Sequence, residues 1–267
     1  MNILVCIKQV PDTTEIKIDP VTNTLIREGV PSIVNTFDQY ALEMAVQVKD
    51  KDPDTNVVVV SMGPPQAEVA LKTCLSVGGQ KAYLVSGREF AGADTLSTSY
   101  ILSCAVKAIE KLEGYKFDAI LCGKQAIDGD TAQVGPEMAE HLGIPQITYA
   151  TEFGFVDGKV RVKRETEDGY EIREAECPCL VTATKPAFEP RYATVKSKMA
   201  ANRAKIPQIG VADMEIDVER CGLKGSATKV KKTFVPVRNK NGIKIKEETP
   251  EESVAKLVEL LTGAGII

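Results

Sequence analysis

Histidine is almost missing from this chain: His141 is the only one. With one histidine and no paired Cys-x-x-Cys elements, a zinc site has very little to build from. A histidine-based triad is disfavoured too, since His141 falls on a helical stretch with no nucleophile beside it, and it reads as a helix-face residue. The seven cysteines, at 6, 74, 104, 122, 177, 179 and 221, are odd in number and irregular in spacing, which points to a reducing compartment and a cytoplasmic location. Cys177-Pro178-Cys179 is the one close pair, and it reads as the edge of a strand rather than a redox or metal motif. No apolar run approaches the ~20 residues that span a bilayer. The opening Met1-Asn2-Ile3-Leu4-Val5 lacks a basic region and reads as a first strand, not a signal peptide. Excess positive charge is lacking as well: 33 basic against 37 acidic residues give a net charge of −4, which argues against a nucleic-acid groove. Neither fingerprint glycine pattern for phosphate binding is present.

What is present is a soluble-type apolar content of 43% and a βαβα rhythm. Ile3 to Ile7 is a continuous apolar run, as in a buried parallel sheet. A hairpin is expected over Glu15 to Asp19 and Thr24 to Arg27. Tyr40, Ala41, Met44, Ala45 and Val48 share one helical face, with Asn35 or Asp38 as cap. Asn56 to Met62 is a second strand, Ala67 to Val77 a helix, and Lys81 to Val85 a third strand. A long helix starts near Asp94-Thr95, either of which serves as its cap, and runs to about Lys111. Phe117 to Cys122 is the fourth strand. This alternation predicts a doubly wound, mostly parallel, Rossmann-like sheet. The loops Cys6–Gln9, Asn35–Asp38, Met62–Pro65, Asp94–Thr98 and Gly123–Val134 are expected along one edge of it. After Pro145 the stretches Gln146 to Val156, Lys159 to Glu165 and Tyr170 to Glu176 read as antiparallel strands, followed by a strand at Leu180 to Thr184. Thr194 to Lys205 reads as a basic helix, and Pro250 to Leu261 as a last helix capped by Thr249. Residues 207–248 have weak periodicity, and such a tail usually needs something to lie against. We therefore divide the chain into an α/β nucleotide-binding domain, 1–206, and a C-terminal arm and helix, 207–267.

The most informative stretch follows the fourth strand: Cys122-Gly123-Lys124-Gln125-Ala126-Ile127-Asp128-Gly129-Asp130-Thr131-Ala132-Gln133-Val134-Gly135. A buried strand ends there in a polar, glycine-punctuated turn, and a helix begins directly after it. Open α/β sheets place nucleotides at such a point, with helix-start N–H groups toward the phosphates. Gly123, Gly129 and Gly135 permit close approach that a side chain would block. Asp128, Asp130, Thr131 and Gln133 offer hydrogen bonds to a sugar, a base or a ring edge. The alternative on local chemistry is a surface βα loop whose Asp and Thr cap the next helix.

Four segments carry a family resemblance. They are Asn2-Ile3-Leu4-Val5-Cys6-Ile7-Lys8-Gln9-Val10-Pro11-Asp12, Asn35-Thr36-Phe37-Asp38, the Gly123 to Gln133 stretch, and Glu189-Pro190-Arg191-Tyr192-Ala193-Thr194. Together, from first strand to last helix, the chain resembles the electron transfer flavoprotein beta subunit. The resemblance implies a larger alpha subunit as partner, holding one FAD to which the beta subunit contributes contacts. The beta subunit's own nucleotide site holds AMP in the housekeeping branch. In the electron-bifurcating branch it holds a second FAD that takes hydride from NADH and sends electrons to two acceptors. These would be a flavin-dependent acyl-CoA or hydroxyacid dehydrogenase and a low-potential ferredoxin or flavodoxin. Asp128-Gly129-Asp130-Thr131 has glycine where the AMP branch tends to carry a third acid, and losing a side chain and a charge beside a pyrophosphate favours FAD. Ala91 to Thr98 looks like the bifurcating pattern, with Asp94, Thr95 and Thr98 at the site and the two threonines as flavin contacts. The remaining contacts implied are Cys6, Asn35, Thr36, Phe37, Asp38, Met62 and Gly123 through Val134. Thr36 stands where the AMP type has proline, and Met62 where it has small or thiol side chains, so these two would contact through backbone. Lys185 to Lys196 resembles the loop that docks onto the partner dehydrogenase; as a bare sequence it also reads as an ordinary surface loop. A nucleotide-dependent ligase or hydrolase would need a phosphate cradle after the first strand, and Lys8-Gln9-Val10-Pro11-Asp12 is not one.

Overall fold

The computed structural model of the chain describes residues 1–12, 31–231 and 242–267. The hairpin expected over Glu15 to Arg27 lies outside the described residues.

Alternation along the first strand, β1 (Asn2–Cys6), sets the layers. Ile3, Val5 and Ile7 enter one apolar cluster and Leu4 and Cys6 the other, so the strand is covered on both faces. A short ladder, β2 (Gln9–Pro11) antiparallel to β3 (Ser32–Val34), precedes α1 (Thr36–Lys51). Then follow β4 (Asn56–Met62), α2 (Glu68–Ser76), β5 (Lys81–Val85), α3 (Thr95–Glu113), β6 (Ala119–Gly123) and α4 (Val134–Leu142). Helices α1 and α2 pack in the first cluster and α3 and α4 in the second, giving three layers. Next come β7 (Gln146–Val156), β8 (Lys159–Thr166), β9 (Gly169–Ala175), β10 (Cys179–Ala183) and α5 (Val195–Arg203). Last are β11 (Gln208–Ile209), α6 (Gly222–Gly225) and α7 (Pro250–Gly263).

Among the described residues one nine-stranded sheet runs β11-β5-β4-β1-β6-β10-β7-β8-β9. From β11 to β7 neighbouring strands are parallel; β8 and β9 add antiparallel. Strand β7 thus differs from the purely antiparallel expectation. Its first residues pair in parallel with β10 and its later ones antiparallel with β8, and a left-handed Tyr149 (φ 59°) marks a register irregularity between those ladders. The chain moves outward from β1 to β4 and β5, then returns to β6 on the other side of β1. That reversal puts the strand-order switch between β1 and β6.

The first compact unit is Met1–Lys231 and the second Lys232–Ile267. Residues 207–231, placed in the arm from sequence, belong to the first unit: β11 pairs in parallel with β5 through Gln208↔Leu84 and Ile209↔Val85. Gln208 and Ile209, at the start of the weakly periodic stretch, find their support at a sheet edge. In the second unit α7 starts with a capping box, Thr249 accepting from the Glu252 N–H while the Glu252 carboxylate accepts from the Thr249 N–H.

The loop 185–194 is tied down by one residue. Arg191 Nε donates to Glu43 Oε2 at 2.8 Å, and Nη2 donates to Glu43 Oε1 at 2.9 Å and Asp50 Oδ2 at 2.6 Å. The Glu43 carboxylate is 7% exposed and the guanidinium side chain 34%. The hydrogen bond from Arg191 holds the Asp50 carboxyl below its usual range. Arg191→Ala strands the buried Glu43 charge. The expected loss is about 2 kcal/mol in urea unfolding, less than the ~3–5 kcal/mol of a fully buried pair because the guanidinium is solvent-screened. An unchanged unfolding midpoint rules out this anchoring role.

Candidate functional site: the crevice at the strand-order switch

In a doubly wound sheet the carboxyl ends on either side of the switch splay apart, and ligands enter there. Here the loops after β1 and β6 are held by two side chains at the start of α1. Asp38, 5% exposed, accepts from the Lys8 N–H through Oδ2 at 2.7 Å and from the Gly123 N–H through Oδ1 at 2.9 Å. Asn35 donates through Nδ2 to the Gln125 carbonyl at 2.9 Å and accepts through Oδ1 from the Ile127 N–H at 3.0 Å. Neither residue caps its own helix with its side chain, contrary to the expectation from sequence. Both are spent across the crevice, where the donors after β1 and β6 have no ladder partner.

Gly123 makes the clamp possible. A Cβ there would stand 2.5 Å from Asp38 Oδ1 and 2.6 Å from Phe37 Cβ. Gly135 is needed for packing in the same way, with a Cβ 2.8 Å from Thr182 Cγ2 and 2.9 Å from Cys122 Sγ. Gly129 is different: nothing lies within 4 Å of the position its Cβ would take. Of the three glycines singled out from sequence, two make room for protein and one borders open space.

The turn itself is strained and internally paired. Asp130 (φ 50°) and Ala132 (φ 53°) occupy the left-handed region without being glycine. Asp128 Oδ1 lies 2.7 Å from Lys8 Nζ, and Asp130 Oδ1 accepts from Gln125 Nε2 at 2.7 Å. Lys124 Nζ sits 5.0 Å from the Phe37 ring centroid and 5.9 Å from that of Tyr149. Thr131 and Gln133 are exposed, and Ala126, Ala132 and Val134 are half-buried. Thr36 and Phe37 form the first turn of α1, and Met62 ends β4, half-buried. Cys6 ends β1; burial, with a contribution from Asp38, pushes its thiol up to about 12, so it is an inert wall and not a nucleophile.

At the start of α3, Asp94 is fully occupied by protein groups. It accepts from the Ser97 N–H at 3.0 Å and from the N–H and hydroxyl of Thr228 at 2.9 and 3.0 Å. Thr95 Oγ1 lies 3.2 Å from Glu137 Oε1 and 3.3 Å from Gln133 Oε1, which joins the α3 and α4 starts. Thr98 is half-buried in the first turn. Three residues at this rim, Lys8, Tyr149 and Glu137, were not singled out from sequence. Lys8 stands inside the first quoted segment, and Glu137 lies four positions beyond Gln133, on the same helix face. Tyr149 left no signal. Among the described residues no group of three or more His, Cys, Asp or Glu is placed to hold a metal ion, and no helix is long and apolar enough to cross a membrane.

Fold and rim define a doubly wound α/β protein with a polar crevice at the strand-order switch. The electron transfer flavoprotein domain model matches residues 22–214. The chain is 49% identical to the electron transfer flavoprotein subunit beta of Megasphaera elsdenii, with both chains covered in full. It is 46% identical to the caffeyl-CoA reductase-Etf complex subunit CarD of Acetobacterium woodii, again over the whole of both. Against Protein FixA of Azotobacter vinelandii it is 46% identical over 88% of this chain and 84% of that one. The chain belongs to the electron transfer flavoprotein family, as a beta subunit.

Burial pushes the Asp38 carboxyl up to about 7, against the pull of donors from Asn35, Lys8 and Gly123. An unfolded aspartate titrates near about 3.9, so between the two values the native state holds the extra proton. The stability this brings is present below about pH 4 and is lost as pH rises through about 7. Asp38→Asn retains one acceptor oxygen and turns an amide N–H toward the second donor, at an expected cost of about 1–3 kcal/mol. Urea unfolding at pH 5 and pH 8 checks both points. The gap between wild type and variant should be wider at pH 5, and a gap wider at pH 8 contradicts the assignment.

Proposed function

We propose that this crevice holds an FAD, and that the chain works in a heterodimer with an electron transfer flavoprotein alpha subunit carrying a second FAD. The observation that carries this reading is the turn Asp128-Gly129-Asp130. Its glycine borders open space, while its two acids are engaged by Lys8 and Gln125. A dinucleotide brings a pyrophosphate, and a turn in which Asp128 is already ion-paired with Lys8 repels it less than one with two free acids. The starts of α3 and α4 meet at the same rim through Thr95, Gln133 and Glu137, whose side chains offer hydrogen bonds to the rest of the ligand. The residues present therefore fit an adenine dinucleotide.

When bound, such a flavin supplies the redox chemistry, accepting hydride from NADH and passing electrons to acceptors of different potential. The protein's residues bind and orient. Asn35 and Asp38 hold the turn in its strained form. Cys6 walls the crevice with a buried, protonated thiol, and Thr95, Thr98 and Gly123 through Val134 make the contacts, while Asp94 holds the start of α3. Lys185 to Lys196 supplies the docking surface for an acyl-CoA or hydroxyacid dehydrogenase. Arg191 anchors that loop from within, and Tyr192 and Val195, 95% and 80% exposed, remain for a partner. Ferredoxin or flavodoxin is the low-potential acceptor, the C-terminal arm lies on the alpha subunit, and the assembly works in the cytoplasm. The relative CarD is by name a subunit of a caffeyl-CoA reductase-Etf complex, which supports this class of partner.

The visible spectrum of the purified heterodimer tests the reading. Two FADs per heterodimer, bleached by NADH, are expected. One FAD together with extractable AMP assigns the chain to the non-bifurcating carriers, where the nucleotide is structural.

A further inference from the structure

The gap between the starts of α3 and α4 contains a carboxylate whose partners are only half accounted for. Glu137 Oε1 is 3.2 Å from Thr95 Oγ1, while Oε2 is shut off from solvent and meets no hydrogen-bond donor. Among the described residues no cation pairs with it. A carboxylate serving only to join two helices would be expected to have both oxygens satisfied. Gln133 also departs from the purely architectural role. It is the N-cap residue of α4, yet its side chain does not cap that helix and lies instead against Thr95.

The direction of these bonds follows from counting hydrogens. A carboxylate only accepts, and Thr95 has a single hydroxyl hydrogen to give. The charged oxygen of Glu137 is the stronger acceptor and takes it. Thr95 Oγ1 then offers lone pairs on its other side. Half a turn of the Gln133 amide brings Nε2 to the place of Oε1, where it donates to Thr95 and leaves the amide oxygen facing outward. Hydrogens run in one sense, from Gln133 to Thr95 to Glu137, and the open end of the chain is an acceptor.

We propose that Glu137 is a positioning residue that sets the hydrogen-bond polarity of this gap. Through it, Thr95 and Gln133 accept from N–H or O–H groups of the ligand and turn its phosphates away. On the FAD reading, on which this assignment rests, the gap takes the ribityl and ring portion, with the pyrophosphate elsewhere along the rim.

Glu137→Gln releases the direction of the chain, because its amide can donate to Thr95 as well as accept from it, and the outer end is no longer held as an acceptor. Moving the carboxylate outward in the double variant Glu137→Gln, Gln133→Glu restores an outward acceptor with no change in net charge. The measurement is cofactor retained per heterodimer across a dilution series, with the alpha subunit's FAD as internal reference and melting temperature as the check on folding. About tenfold weaker retention is expected for Glu137→Gln, the size of one hydrogen bond, with most of it recovered in the double variant. Thr95→Val should lose as much and carries the test if Glu137→Gln does not fold. Wild-type retention in Glu137→Gln and Thr95→Val, or no recovery on moving the carboxylate, overturns the proposal. Should the wild type retain AMP and not FAD, the FAD reading falls by itself. The same titrations with AMP then decide the polarity, weaker binding by Glu137→Gln upholding it and unchanged binding overturning it.

Discussion

A single buried carboxylate at the start of α1 governs the geometry of the rim. Where strand order reverses, the ends of β1 and β6 have backbone donors with no strand beyond them to accept. Asp38 takes one from each, the Lys8 N–H and the Gly123 N–H. Burial raises the energy of its charge, and the two donors offset part of that cost. The clamp works only because residue 123 has no side chain to keep α1 at a distance. Removing either partner would leave the crevice with unpaired buried groups on both walls.

The clamp accounts for what happens further along the loop. Asn35 reaches across to Gln125 and Ile127, so the turn is pinned at its near end while α4 fixes its far end. Between these points Asp130 and Ala132 adopt left-handed torsions that isolated residues avoid at a cost of ~1–3 kcal/mol each. Strain of that size persists only where surrounding contacts over-determine the backbone. Lys8 pairs with Asp128 and Gln125 donates to Asp130, so both acids of the turn are held in place.

Elsewhere the chain spends strong interactions on holding surfaces, not on chemistry. Arg191 binds two carboxylates of α1 from inside the loop 185–194, and in doing so leaves Tyr192 displayed to solvent. Asp94, a candidate ligand residue from sequence, is wholly used in capping α3 and holding Thr228. The half-buried threonine beside it lies between Glu137 of α4 and Gln133, the residue that precedes that helix.

The amino-acid sequence by itself determined the alternation of strands and helices from β4 to α4. Strands β4 and β5 are legible to the residue because a strand buried on both faces must be a continuous apolar run bounded by polar turns. The strand, turn and helix from β6 to α4 were legible from an apolar run, glycines and acids, and the resemblance supplied the family. Tertiary structure alone decided which polar groups meet. Lys8 and Asp128 are 120 positions apart, and Asn35 reads as a helix cap until the crevice offers it better partners. Strand β7 has the same alternation whether its neighbour runs parallel or antiparallel, and the two residues of β11 carry no pattern at all. Periodicity records burial, which is local in the sequence. Hydrogen-bond partners across a crevice depend on where the fold brings distant backbone ends together, and no local pattern encodes that.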